Sequence, residues 1–271
     1  MLATLRLNWF ILRMSINERL MYRGDFAFAT LMRFLPIVTQ IYLWGAVFDA
    51  AGSATIADYT YREMIAYFLL SQVSRAFSSM PGLASGIAAQ IRGGEIKKYL
   101  IQPIDMVGFL LLSRIAHKLV YYVVAAAPYA LVFFLCRSFF SGWPEWPVLL
   151  AYFASLVMSF LLGFFLEATL GMVGFWFLEV SSLLFVYMLF SFFFSGHMFP
   201  IDMLPGVWGT IVKLIPLQYL AYFPAAVFLG KVQGDALAIG LAIQFAWVLT
   251  FMVLSRVTFR LGVRRYSGFG G

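Results

Sequence analysis

Three ionisable residues stand within or beside long apolar runs: Arg75, Glu167 and Glu179. A charge at the bilayer centre costs roughly 2.5 to 3.5 kcal/mol on insertion scales, so it marks a partner or a pathway. Arg75 lies deepest in its run. It either faces a translocation path or subunit interface, or pairs with a carboxylate or carbonyl of a neighbouring helix. Glu167 and Glu179 read as helix ends near water. The two histidines, His117 and His197, are expected on opposite membrane sides, where they cannot share a metal. No H-E-x-x-H or G-x-S-x-G pattern occurs. The one Gly-Lys pair, Gly230-Lys231, is followed by Val232, so the phosphate-cradling G-x-x-x-x-G-K-[ST] motif is absent. The single cysteine, Cys136, allows no intrachain disulfide and reads as a small buried hydrophobe. Catalytic residues and metal ligands are therefore not assigned.

The elements carrying these residues are membrane elements. Hydrophobic residues make up 63% of the 271 and charged ones 11%. A soluble domain carries about 25% charged residues, and a soluble fold of this size could not bury so much apolar surface. The net charge of +7 then reflects the positive-inside bias of membrane proteins rather than nucleic acid. A span needs roughly 20 apolar residues. Six candidates follow: residues 28–48, 61–83, 116–137, 147–168, 177–199 and 236–256. Residues 106–118 read as a membrane-hugging lead-in to the third. Glu167, Gly171, Gly174 and Glu179 mark the turn between the fourth and fifth. Within residues 1–26, Leu5, Trp9, Leu12, Ile16 and Leu20 recur at helical spacing opposite Arg6 and Arg13, as in an interfacial amphipathic helix. That segment is not expected to be a cleaved signal peptide. Residues 84–105 form a polar link. In residues 200–230, prolines and glycines precede an apolar helix at 217–229, too short to span and read as re-entrant or interfacial. Gly82 and Gly86 make one G-x-x-x-G, which permits close helix approach or a bend.

Lysine and arginine set the orientation. Arg6, Arg13, Arg19 and Arg23, then Arg92, Lys97 and Lys98, then Arg256, Arg260, Arg264 and Arg265 alternate with sparsely basic links. The basic set belongs in the cytoplasm, with both termini. The expected fold is an all-α integral membrane protein with about six spans, one domain over 1–271, in the inner (plasma) membrane.

Three stretches together resemble an ABC-2-type permease. The first is Ile91-Arg92-Gly93-Gly94-Glu95-Ile96-Lys97-Lys98-Tyr99-Leu100-Ile101-Gln102-Pro103. In that family an apolar residue, a glycine, an acidic residue, a leucine and a proline stand between the second and third spans. The second stretch is Gly196-His197-Met198-Phe199-Pro200-Ile201-Asp202-Met203-Leu204-Pro205, with Trp208, Pro216 and Tyr219 following. It is similar to the family's proline-broken external re-entrant element between spans five and six. The third is the tail, Arg264-Arg265-Tyr266-Ser267-Gly268-Phe269-Gly270-Gly271, which resembles a branch with a terminal Gly-Gly.

The resemblance implies a transport subunit without an ATPase site of its own. Gln90, Ile91, Arg92, Gly94, Glu95, Leu100 and Pro103 would form the coupling loop on a separate ATPase subunit. Gly196, Pro200, Pro205, Trp208, Pro216 and Tyr219 would shape the external element. ATP and Mg would sit on the partner, with no cofactor on this chain. A second permease, identical or not, would complete the path, surrounded by membrane lipid. The cargo implied is a hydrophobic or amphipathic drug, lipid or glycan. A membrane-embedded transferase predicts clustered His, Asp or Glu on one side. An ATP-independent channel predicts conduction without a partner. Both leave the Gly-Glu loop and the proline-broken segment unexplained.

Overall fold

A computed structural model of the chain describes residues 14, 23–102, 104–177 and 179–266. Most of the amphipathic segment 1–26, Pro103 and the Gly-Gly tail lie outside the described residues. The chain divides into two compact units, residues 1–38 with 95–137 and residues 39–94 with 138–271. Helix α1 (Arg23–Ala51) passes through the boundary and covers the expected first span.

The smaller unit contains α4 (Lys97–Ile101) and α5 (Met106–Leu135). Asp105 starts α5 by accepting a hydrogen bond from the Gly108 amide at 3.1 Å, a side-chain cap for one of the orphan donors at a helix start. The expected lead-in at 106–118 is thus the first part of one continuous helix. Its charges at Arg114, His117 and Lys118 do not interrupt it.

The larger unit opens on a two-residue hairpin. Strands β1 (Thr55–Ile56) and β2 (Tyr59–Thr60) pair antiparallel through a turn in which Ala57 and Asp58 take positive φ of 50° and 64°. Two left-handed turn residues match the twist of the strands they join. Thr60 caps α2 (Tyr61–Ser78) in a reciprocal box: its hydroxyl accepts from the Glu63 amide, and the Glu63 carboxylate accepts from the Thr60 amide. The helix stops at Ser78, short of the expected end at 83. Pro81 cannot be preceded by comfortable α geometry, and Gly82 adopts φ +72°, a left-handed conformation natural to glycine. Helix α3 (Leu83–Arg92) follows within the segment expected as a loop.

Helix α6 (Trp146–Met172) runs beyond the expected end at 168 and through Glu167 and Gly171. The turn to α7 (Ser181–Phe194) therefore falls at 173–180, beginning with a 3-10 turn at Val173–Phe175. Helix α7 has 14 residues, about 21 Å at 1.5 Å per residue, shorter than the expected span 177–199. Residues 200–230 hold α8 (Gly206–Leu214), a 3-10 turn at Pro216–Leu220 and α9 (Tyr222–Phe228). The apolar helix expected at 217–229 is thus split at Ala221. Helix α10 (Gly234–Arg265) continues past the expected 256 into the basic tail.

Helix α6 is the centre of this unit, with α10, α3, α2 and α9 packed on it. A polar clasp crosses the core. The Ser155 hydroxyl donates to Gln244 Oε1 at 2.9 Å, Gln244 Nε2 donates to Ser159 Oγ at 3.1 Å, and Ser159 donates to the Tyr219 carbonyl at 2.6 Å. Among the described residues, Met106–Leu135, Trp146–Phe175 and Gly234–Arg265 are long and apolar enough to cross a membrane.

Candidate functional site

Two regions gather the residues that the sequence singled out. The first is the end of α3. Leu83, Ala84, Ile87, Ala88 and Ile91 are buried, giving the helix one apolar face. That face lies on α6 and its 3-10 extension. Glycines on α6 and in the 3-10 turn after it allow very close approach: a Cβ added at Gly171 would come within 2.6 Å of the Ala84 carbonyl oxygen, and one at Gly174 within 3.2 Å of Ala88 Cα.

Gln90, Ile91, Arg92 and Gly94 therefore meet at the C-terminal end of α3. They do not share one surface. Ile91 is 5% exposed and packs towards Gly174, so its side chain anchors α3 and is withheld from any partner docked on the outer face. Gly94 has φ +76° and closes the turn, its amide donating to the Ile91 carbonyl at 3.2 Å. Arg92 is exposed and donates to Glu179 Oε2 at 3.2 Å, while Glu179 Oε1 accepts from the Ser181 amide at 2.8 Å. The pair joins α3 to the start of α7.

Both members are more than half exposed, and exposed ion pairs contribute about 0 to 1 kcal/mol. Arg92→Ala is accordingly expected to change unfolding stability by less than about 1 kcal/mol, read from denaturation midpoints in one detergent. A larger loss would mean that the pair is a structural clamp.

In the smaller unit, Glu95 is exposed and accepts from Lys98 at 3.4 Å. Leu100 is exposed at 42%, and Ile96 is fully buried. Burial pushes the Tyr99 phenol up, Lys98 opposing this and Glu95 adding to it. In the larger unit Arg92 is exposed, whereas Gln90 is half-buried, its Oε1 buried and without a hydrogen-bond partner among the described residues.

The second region is the proline-broken segment. Gly196 has φ +79°, and an added Cβ there would meet Tyr222 Cβ at 2.5 Å. Its carbonyl accepts from the buried Tyr67 hydroxyl, and the Tyr222 amide donates to the Ser195 carbonyl at 2.8 Å. Pro200 starts the 3-10 turn Ile201–Met203, Pro205 precedes α8, and Pro216 starts the next 3-10 turn. Tyr219 is buried, whereas Trp208 is exposed at 63%.

The residue that organises this segment is one the sequence left without a role. Asp202 accepts from Tyr59 at 3.0 Å, from Tyr222 at 2.7 and 2.8 Å, and from Lys213 at 2.9 Å. Burial pushes the Tyr59 phenol well up, with Tyr222 and the Asp202 charge adding to it. A single acidic residue in an apolar, proline-rich stretch was the available signal. A second link closes the same end: Lys231 pairs with Glu63 at 2.7 Å and donates to the Asp58 carbonyl at 2.7 Å.

Arg75 reaches from α2 to α7, donating to Ser191 Oγ at 3.3 Å.

Long apolar helices with few charges define an all-α integral membrane protein. A family model described as ABC-2 family transporter protein matches residues 34–270. The chain belongs to that family and is a permease component of an ABC transporter. Such membership implies an ABC ATPase partner. Comparison with curated proteins finds no match.

Proposed function

We propose that this chain forms half of the translocation path of an ATP-driven exporter for a hydrophobic or amphipathic compound. A second permease, identical or different, completes the path in the inner membrane. Both termini then face the cytoplasm, and the Asp202 segment is the external element. The reading is carried by one observation: α3 ends in an exposed polar patch while its other face lies almost backbone to backbone on α6. A helix held so closely cannot tilt without moving α6, and α6 bears α10, α2 and α9. ATP bound by the partner would close the ATPase pair and push on Gln90, Arg92, Glu95 and Leu100. No ATP or Mg site is required of this chain.

Purification of the tagged chain in mild detergent, with partners identified by mass spectrometry, tests the plan. A stoichiometric Walker-motif ATPase supports it. A chain that purifies alone, without associated ATP hydrolysis, favours a transferase or channel.

Glu95→Arg is expected to abolish stimulation of the partner's ATPase, leaving the rate of the ATPase alone, while insertion into the membrane is unchanged. The mutation reverses the charge at the proposed contact, so a docked group complementary to the carboxylate would face a like charge, and like-charge juxtaposition at an interface costs several kcal/mol. Normal stimulation in that variant would remove Glu95 from the contact.

A further inference from the structure

A cavity of about 540 Å³ opens beside the N-terminus of α6, within the larger unit. Its wall includes Glu63, Phe140, Trp143, Glu145 and Phe228. The volume is that of a small-molecule site. Trp143 and Trp146 beside it are 86% and 77% exposed, at the start of a helix long enough to span. Tryptophans so placed mark the headgroup level of a bilayer, so the mouth of the cavity lies at the membrane surface.

The charges on the wall are unequal. Glu63 is already neutralised by Lys231 and hydrogen-bonded to Thr60. Glu145 is exposed, makes no side-chain cap bond, and has no ion pair among the described residues. Its position before α6 suits the helix dipole, which accounts for an acidic residue there but not for the rings around it. Phe228 packs edge-on against Phe140 at 6.3 Å and Trp143 at 6.4 Å. One unneutralised carboxylate beside aromatic faces is the chemistry that holds an organic cation, through charge and the ring quadrupole together. A hard metal ion would need about six or more oxygen ligands, and no group of three or more metal-binding side chains occurs among the described residues.

We propose that this cavity binds the ammonium group of a monovalent organic cation, with Glu145 as its counter-ion and Phe140, Trp143 and Phe228 as its apolar wall. The ammonium belongs either to a phospholipid headgroup or to a soluble amphipathic amine. The site stands apart from the coupling patch and does not depend on the transport reading.

The test titrates benzyltrimethylammonium into the full chain in a neutral detergent, without any ATPase, and reads binding by calorimetry. Saturable binding is expected, weakened about tenfold or more by Glu145→Gln, one charge contact on the affinity scale. Trp143→Leu should weaken it severalfold. Because the Glu145 carboxylate holds no group among the described residues, the unfolding midpoint of Glu145→Gln should fall only by the small contribution of its charge to the helix dipole. Absence of saturable binding overturns the proposal. So does unchanged affinity in Glu145→Gln, or equal binding of neopentylbenzene, the neutral isostere. In nanodiscs of phosphatidylglycerol, added phosphatidylethanolamine competes with the probe if the lipid ammonium is the occupant. Lack of competition there assigns the site to a soluble amine.

Discussion

Asp202→Ala is expected to be the most destabilising single change at the proline-broken end, by about 2 to 6 kcal/mol. The carboxylate accepts from two phenols that are almost wholly buried, Tyr59 at 1% and Tyr222 at 4% exposure. Removing it leaves both hydroxyls without an acceptor, and each orphaned buried group costs about 1 to 3 kcal/mol. Lys213 adds little to the loss, because its half-exposed ammonium can turn to water. Tyr59→Phe removes one donor and leaves Asp202 its other partners, so it should cost only about 1 kcal/mol. Asp202→Asn keeps shape and one acceptor oxygen and should fall between. Unfolding midpoints of the variants, compared in one detergent, decide the order. Asp202→Ala no less stable than Tyr59→Phe would show that Asp202 does not hold the segment together. The same cluster bears on function, because Tyr59 precedes α2 and Tyr222 begins α9, and both helices pack on α6. Loss of Asp202 should therefore also loosen the packing of α2 and α9 on α6.

The importance of Asp202 could not be read from its neighbours in sequence. Its donor Tyr59 lies 143 residues away, and local pattern carries no information at that separation. Long apolar runs were legible because the bilayer rewards them directly: the helices 146–172 and 234–265 each contain an expected span, and 106–135 holds the expected 116–137 except its last two residues. Their ends were not legible. The run through 61–83 looked continuous because apolar residues persist past Ser78. Yet Pro81-Gly82 is a breaker pair, and it separates α2 from α3. At the other extreme, Arg114, His117 and Lys118 suggested a boundary where backbone geometry has none, since Asp105 had already started α5. Ile91 shows the same limit at a single residue. Its motif placed it among docking residues, but α3 turns that position inward. It packs towards Gly174, in a turn the motif does not contain. The Gly82–Gly86 pair had two open readings, and the structure favours the bend: Gly82 is left-handed, and a Cβ at Gly86 would meet nothing within 4 Å.

The glycines that do serve close packing give the second large effect. Gly171→Ala and Gly86→Ala are the same chemical change in helix interiors, and they are expected to shift stability in opposite directions. Each gains about 1 kcal/mol of intrinsic helix propensity. At Gly86 nothing opposes that gain, so stability should rise by about 0.5 to 1 kcal/mol. At Gly171 the new Cβ would lie 2.6 Å from the Ala84 carbonyl oxygen and 2.9 Å from both Ala84 Cα and Ile87 Cβ. Two of these atoms are backbone and cannot rotate away, so α3 must move off α6. Overpacking of this kind costs about 1 to 3 kcal/mol, enough to cancel the propensity gain and in most of that range to exceed it. Unfolding midpoints of the two variants in one detergent measure the difference directly. Equal, stabilising shifts would mean that α3 and α6 are not held as closely as described. The displaced helix also carries Gln90 and Arg92. If those residues form the ATPase contact, Gly171→Ala should lower ATPase stimulation even at temperatures where the protein remains folded, and Gly86→Ala should leave it intact. A Gly171→Ala protein that is less stable but fully coupled would separate the packing of α3 from the transmission of force, and would move the contact to the Glu95 side of the turn.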